Sequence, residues 1–127
     1  MAVKFLSDEW AAALKSTLND SDAFRQAAQG HTATIQQIID GADRQTRYWI
    51  RIADQTIDMG VGDVDDPDAT ITESYESAVA LAKSELSPVT AFMTGKIKVA
   101  GNMGLLLGLQ GVLTQLPEAM RSIDVEY

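Results

Sequence analysis

The chain has no cysteine and a single histidine, His31. The first absence removes disulfides, zinc thiolate centres and cysteine nucleophiles, and leaves the redox compartment open. The second leaves a Ser-His-Asp triad with one conceivable base. His31 follows Gly30 at the mouth of an expected strand, a place that suits a surface or strand-start residue better than a base or metal ligand. Positive charge is also scarce: ten lysines and arginines stand against eighteen acidic residues, a net charge of −8. Nucleic-acid binding relies on neutralising phosphates with basic side chains, so that class is excluded, and long-range attraction to anionic lipid surfaces is unfavourable. The longest apolar stretch falls short of the ~20 residues that span a bilayer. Two apparent motifs also fail. Thr90 stands where a phosphate loop ending in Gly95-Lys96 needs its first glycine, and Ile97 follows the lysine. The run Asp63, Asp65, Asp66 and Asp68 lacks the central glycine and closing glutamate of a calcium-binding EF-hand, and reads as a solvated turn.

What is present is a chain of 127 residues, 46% hydrophobic, with a mean hydropathy of −0.05. That length suits one domain over residues 1–127 and buries about two-thirds of the unfolded surface. The opening Met1-Ala2-Val3-Lys4-Phe5-Leu6 meets Asp8 and Glu9 before an apolar signal core forms, so the expectation is a cytoplasmic protein. The closing Ile123-Asp124-Val125-Glu126-Tyr127 is not a Ser-Lys-Leu type address.

Ser7 is placed to cap a helix carrying Trp10, Ala13, Leu14 and Thr17, with Asp8 and Glu9 suited to its first turn. Asn19-Asp20-Ser21-Asp22 interrupts it and caps a shorter helix through Phe24, Ala27 and Ala28 that Gly30 stops. From His31 to Asp40 β-branched residues accumulate, and the apolar phase shifts between Ile35 and Ile38, which predicts a bulge. After a turn at Gly41-Ala42-Asp43, residues 44–54 alternate. Tyr48, Ile50 and Ile52 take the inner side and Arg47, Trp49 and Arg51 the outer. Ile57, Met59 and Val61 mark a third strand and Ala69 to Thr72 a fourth, after which Ser74 caps a helix with Tyr75, Ala78, Val79 and Ala82. Ser87-Pro88 begins a short helix through Phe92 that Gly95 ends. Successive short strands with helices grouped at both ends predict an α+β fold around an antiparallel meander.

The stretch from Phe92 to Leu113 is the most informative. Lys96-Ile97-Lys98-Val99 alternates between Gly95 and Gly101, the pattern of a half-buried strand. Beyond Asn102 a nearly polar-free helix is predicted, in which Leu105, Leu109, Val112, Leu113 and Leu116 form a stripe beside Gly104, Gly108 and Gly111. Glycines in a helical row weaken it unless something approaches closely, so the seam is read as packing onto the sheet. Pro117 then breaks or restarts the helix before a final turn over residues 118–123.

The order Phe92-Met93-Thr94-Gly95-Lys96-Ile97-Lys98-Val99-Ala100-Gly101-Asn102-Met103-Gly104-Leu105 resembles the terminal motif of the sterol carrier protein family, the sterol-binding or lipid-transfer domain. Asp66-Pro67-Asp68-Ala69-Thr70-Ile71-Thr72 followed by Ser74 is similar to the strand and helix start that precede that motif. The resemblance implies a five-stranded, mainly antiparallel sheet covered on one face by helices and enclosing an apolar cavity, and a domain that carries a lipid without catalytic residues or cofactor. It makes Phe92, Met93, Met103, Leu106, Leu107, Leu109 and Leu113 the candidate ligand wall, with Tyr48, Ile50, Ile52, Ile97 and Val99 opposite. The flexible thioethers of Met93 and Met103 suit a wall that adapts to ligand shape, though methionine also fills ordinary cores.

Arg47 and Arg51, with Trp49 between them, are candidates for an anionic head group, such as a fatty acid carboxylate or acyl-CoA phosphates. The alternative is a solvated outer face that keeps the sheet soluble. The implied partner is an apolar small molecule, a fatty acid, fatty acyl-CoA, sterol or similar lipid, with at most transient membrane contact and with a delivery protein as a further partner. The rival reading is a homodimeric interaction module that buries the apolar C-terminal helix in its partner. A small enzyme or accessory acting on a lipid-derived substrate is a third.

Overall fold

The hydroxyls at the predicted helix starts each satisfy a free backbone amide, which fixes where the chain turns into each helix. The computed structural model describes residues 2–41, 43–83 and 85–126. After a two-residue strand β1 (Val3–Lys4), Ser7 Oγ accepts from the Trp10 N–H at 3.2 Å and starts α1 (Asp8–Asn19). Ser21 caps α2 (Asp22–Ala28) in the same way, and Gly30 follows in the left-handed region at φ 81°, a conformation in which glycine carries no steric penalty.

The sheet comprises β2 (Ala33–Asp40), β3 (Gln45–Ala53), β4 (Thr56–Val61), β5 (Ala69–Ser74) and, later in the chain, β6 (Ile97–Gly101). Its order is β4-β3-β2-β5-β6. β2, β3 and β4 form the predicted meander, with both residues of the Asp54-Gln55 turn at positive φ, as a tight right-twisted hairpin requires. The meander does not extend to β5, which returns to pair with β2 in parallel before β6 adds an antiparallel edge. The predicted bulge in β2 is absent. Its register with β3 runs unbroken from Ala33↔Ile52 to Asp40↔Gln45. The apparent phase shift arises because Gln37, a polar residue, takes an inward position between Ile35 and Ile39, while Ile38 points outward. Of the turn predicted at Gly41-Ala42-Asp43, Ala42 lies outside the described residues, and the Gly41 N–H donates to the Arg44 carbonyl at 2.9 Å.

α3 (Tyr75–Ala82) is capped by Ser74 and α4 (Pro88–Met93) by Ser87. Gly95, at φ 77°, closes α4: its N–H donates to the Phe92 carbonyl and that of Lys96 to Ala91, the paired bonds of a Schellman ending. Asn102 then caps α5 (Met103–Gly108), which is followed by α6 (Gln110–Leu113), α7 (Gln115–Arg121) and β7 (Val125–Glu126), the last pairing in parallel with β1.

The predicted single glycine-seamed helix is therefore three short ones. Gly108 and Gly111 are poor helix formers, and the axis breaks at Leu109 and Thr114. The seam does not pack on the sheet: among the described residues a Cβ at Gly108 or Gly111 would meet nothing within 4 Å, and one at Gly104 only Asn102 Oδ1 at 3.5 Å. Pro117 does not break α7, because it stands in the first turn, where its missing N–H has no helical acceptor in any case. The core lies between the inner sheet face and α1, α2 and the C-terminal helices, with Trp10, Leu14, Leu18, Phe24, Ile35, Ile50, Ile52, Leu109 and Val112 almost wholly buried.

Candidate functional site

Strand alternation and register together fix the inner face of the sheet. One row across it reads Val61, Tyr48, Gln37, Ile71 and Val99, and the next reads Thr46, Ile39, Glu73 and Ile97. Above the β5–β6 side of this face lies a cavity of about 380 Å³, within the ~300–1,000 Å³ common for small-molecule sites. Its floor is formed by Gln37, Tyr48, Ile71, Glu73, Ile97 and Val99. Its walls come from Phe5, from Trp10 and Leu14 of α1, from Ala78, Leu81 and Ala82 of α3, and from the helices on either side of β6. The last group includes Phe92, Met93, Met103, Leu106, Leu107, Leu113, Leu116, Pro117 and Met120. Phe92, Met93 and Leu107 are 41%, 82% and 63% exposed, so they form an apolar rim around the opening.

One patch of the lining is polar. Gln37 and Glu73 are 6% and 8% exposed. Among the described residues Gln37 Oε1, Glu73 Oε2 and Trp10 Nε1 are buried without a hydrogen-bond partner. Loss of solvation pushes the Glu73 carboxyl up to about 7, and burial, followed by the nearby Glu73, raises the Tyr48 phenol above its ordinary value. Trp10 packs edge-on against both Phe5 and Tyr48, with ring centroids 5.2 Å apart in each pair. Glu73 is the only Asp, Glu, Lys, Arg or His side chain among the lining residues.

Of the candidates named from the sequence, Tyr48, Phe92, Met93, Ile97, Val99, Met103, Leu106, Leu107 and Leu113 line this cavity. Ile50, Ile52 and Leu109 do not. All three are fully buried, Ile50 and Ile52 because they occupy the inner face toward β4, where α1 covers the sheet. Arg47 and Arg51 project from the outer face. The Arg47 guanidinium lies 3.1 Å from Asp63 and that of Arg51 sits 5.3 Å from the Trp49 ring centroid. Arg47 instead borders a second, more polar depression of about 640 Å³ with Lys4 and Arg44, and Phe5 lines both spaces. The apolar cavity, though smaller, is the candidate site because its lining is almost entirely hydrocarbon and three of its few polar atoms are orphaned.

Sequence reasoning missed Gln37 and Glu73. The signal was present: Ile35-Gln37-Ile39 and Ala69-Ile71-Glu73 share one strand phase, which places an amide and a carboxyl on the apolar face. No group of three or more His, Cys, Asp or Glu among the described residues is arranged to hold a metal ion, and no helix among them is long and apolar enough to cross a membrane.

Residues 11–114 match the sequence pattern of the SCP-2 sterol transfer family. The chain is similar to sterol carrier protein 2 of Rattus norvegicus, at 42% identity over 52 residues. That stretch covers 41% of this chain and 10% of the rat protein. It is similar to hydroxysteroid dehydrogenase-like protein 2 of Bos taurus, at 30% identity over 97 residues, 76% of this chain and 22% of that one. The matched stretches thus span a tenth to about a fifth of these two relatives. In three dimensions the chain superposes on a crystal structure of sterol carrier protein 2 with a TM-score of 0.80 at 17% identity, covering 94% of this chain and 98% of the other. On the solution structure of palmitated SCP2L2 from Aedes aegypti the TM-score is 0.63 at 20% identity, over 87% and 90% of the two chains. At such identities the superpositions establish the fold.

Proposed function

The chain belongs to the SCP-2 sterol transfer family, and on that premise we propose that it binds a long-chain lipid in the apolar cavity and carries or presents it without covalent chemistry. The observation that supports this reading best is the cavity itself: about 380 Å³ of space bounded mainly by aliphatic, aromatic and thioether side chains. Packed interiors leave few voids larger than a water molecule. A hydrocarbon chain occupying this one gains about 0.8 kcal/mol for each methylene removed from water. Ten methylenes give about 8 kcal/mol, which puts the ceiling from this term near micromolar affinity before ordering costs are subtracted.

In this reading Ile97 and Val99 of β6 form the floor beneath the acyl or ring system, and Met103, Leu106 and Leu113 form the roof. Tyr48 marks the deep end. Phe92, Met93 and Leu107 form the entrance, where exposed apolar side chains meet the ligand as it leaves water or an apolar surface. The net charge of −8 favours delivery to a protein or a neutral membrane over adsorption to an anionic one.

Titration of the purified protein with diphenylhexatriene, a neutral apolar fluorophore, tests the proposal. Saturation at one probe per chain, with displacement by unlabelled long-chain lipids, supports it. Fluorescence that stays at the level of a protein without a cavity contradicts it.

A further inference from the structure

The polar lining atoms cluster around Tyr48. Gln37 is its direct cross-strand partner, and Ile71, the partner of Gln37 on β5, is two residues from Glu73 on the same face. Trp10 packs edge-on against the Tyr48 ring. The cluster therefore presents two orphaned acceptor atoms, Gln37 Oε1 and Glu73 Oε2, and one orphaned donor, Trp10 Nε1. Buried polar atoms left unpaired are destabilising, and native proteins seldom retain several together without a partner to fill the gap.

The chemistry of that partner follows from the inventory. A hydroxyl supplies one donor and two lone pairs, so it can donate to one of the two acceptors and accept from the donor at the same time. A carboxylate supplies acceptors only, and here it would meet a second carboxyl with no lysine, arginine or histidine among the lining residues to neutralise either. We propose that the Gln37–Glu73 pair is a head-group subsite that accepts the hydroxyl of an apolar alcohol, with Trp10 Nε1 donating to the alcohol oxygen, and that it discriminates against a carboxylate of the same chain length. This rests on the lipid-binding reading above and narrows the class of lipid.

Among the described lining residues no cationic side chain faces Glu73 to reverse the discrimination. Tyr48 from β3 is the titratable group that faces it, and its direct neighbours on β2 and β6 are Ile39 and Ile97. Lys98 lies opposite Thr72, on the other face of the sheet. From α3 the lining residues are Ala78, Leu81 and Ala82, and on α7 Glu118 and Arg121 pair with each other at 3.3 Å.

Displacement of bound diphenylhexatriene from the intact protein by hexadecanol, palmitate and hexadecylamine, at about pH 6 and about pH 8, tests the subsite. These conditions lie on either side of the Glu73 titration near 7. Hexadecanol is expected to displace the probe at about one-tenth the concentration of palmitate at about pH 8, and the gap is expected to narrow at about pH 6. Glu73→Gln, which keeps the shape but cannot ionise, narrows the gap at the higher pH. Gln37→Leu weakens hexadecanol and leaves palmitate little changed, with folding of both variants checked by circular dichroism. Palmitate displacing as well as hexadecanol at about pH 8, hexadecylamine outcompeting the alcohol, or a gap untouched by Glu73→Gln overturns the inference and leaves the lipid-binding reading standing. Failure of diphenylhexatriene itself to bind removes both.

Discussion

Glu73 stands directly opposite Ile97 in the β5–β6 register, so the one acidic side chain of the cavity has an isoleucine where a surface strand would place a cation or water. On its other side, in β2, is Ile39. Burial raises its carboxyl from 4.5 to about 7. The folded state therefore holds this proton more tightly than the unfolded chain. Its contribution to stability is complete below the unfolded value near 4.5, and is lost as pH rises through about 7. The loss amounts to about 3 kcal/mol. Glu73→Gln is expected to match the parent near pH 4.5 and to melt roughly 10 °C higher above about pH 8. Thermal denaturation across that range measures it, and parallel pH profiles for parent and variant contradict the assignment.

Asn19, the last residue of α1, exchanges two hydrogen bonds with the backbone of Ile57. Its amide donates to the carbonyl at 3.0 Å and its Oδ1 accepts from the N–H at 2.9 Å. β4 is an edge strand, and this clamp covers groups that would otherwise invite pairing with another chain. It also fixes α1, which carries Trp10 and Leu14 to the cavity. Asn19→Ala should lower the unfolding free energy by about 2 kcal/mol, read as a lower urea midpoint with an unchanged slope.

The glycines around the last strand fall into two groups that should respond oppositely to alanine. Gly111 lies within α6 with open space where a Cβ would stand, so Gly111→Ala is expected to stabilise by about 0.5–1 kcal/mol. Gly101 is at φ 101°, and its added Cβ would lie 2.6 Å from the Asp68 carbonyl oxygen. Gly101→Ala is expected to destabilise by about 2 kcal/mol or more. Chemical denaturation of the two variants side by side checks the sign of each.

Ala78 and Ala82 face the cavity from α3, and both are nearly buried. A larger apolar residue there fills space that a ligand would otherwise occupy. Ala82→Phe is expected to reduce diphenylhexatriene binding at least about tenfold while the protein keeps its native circular dichroism. A variant that folds and binds as tightly as the parent places the ligand elsewhere.

Much of the fold was legible because local signals and burial agree. Tyr48, Ile50 and Ile52 alternate cleanly on β3, and Ser7, Ser21, Ser74 and Ser87 each cap the helix that their position predicts. Where burial and composition part, the reading failed. Gln37 on an apolar face mimics a phase slip, and Gly108 and Gly111 suggest a close neighbour where the described residues place none. The parallel return of β5 to β2 is a non-local choice that no window of sequence encodes, and the β1–β7 pair is too short to show a period. At the site, eight side chains of the apolar wall were visible as hydrophobic positions around β6, and Tyr48 as an inward position on β3. Ile50, Ile52 and Leu109 have the same composition and periodicity, but they lie in the filled part of the core, and only packing separates filled core from cavity.

Native mass spectrometry of the freshly purified protein, followed by extraction and identification of what it carries, tests lipid binding most directly. The account predicts a defined apolar molecule at near-stoichiometric occupancy, one per chain, lost in the Ala82→Phe variant. An empty protein that also refuses added long-chain alcohols, fatty acids and sterols would contradict it.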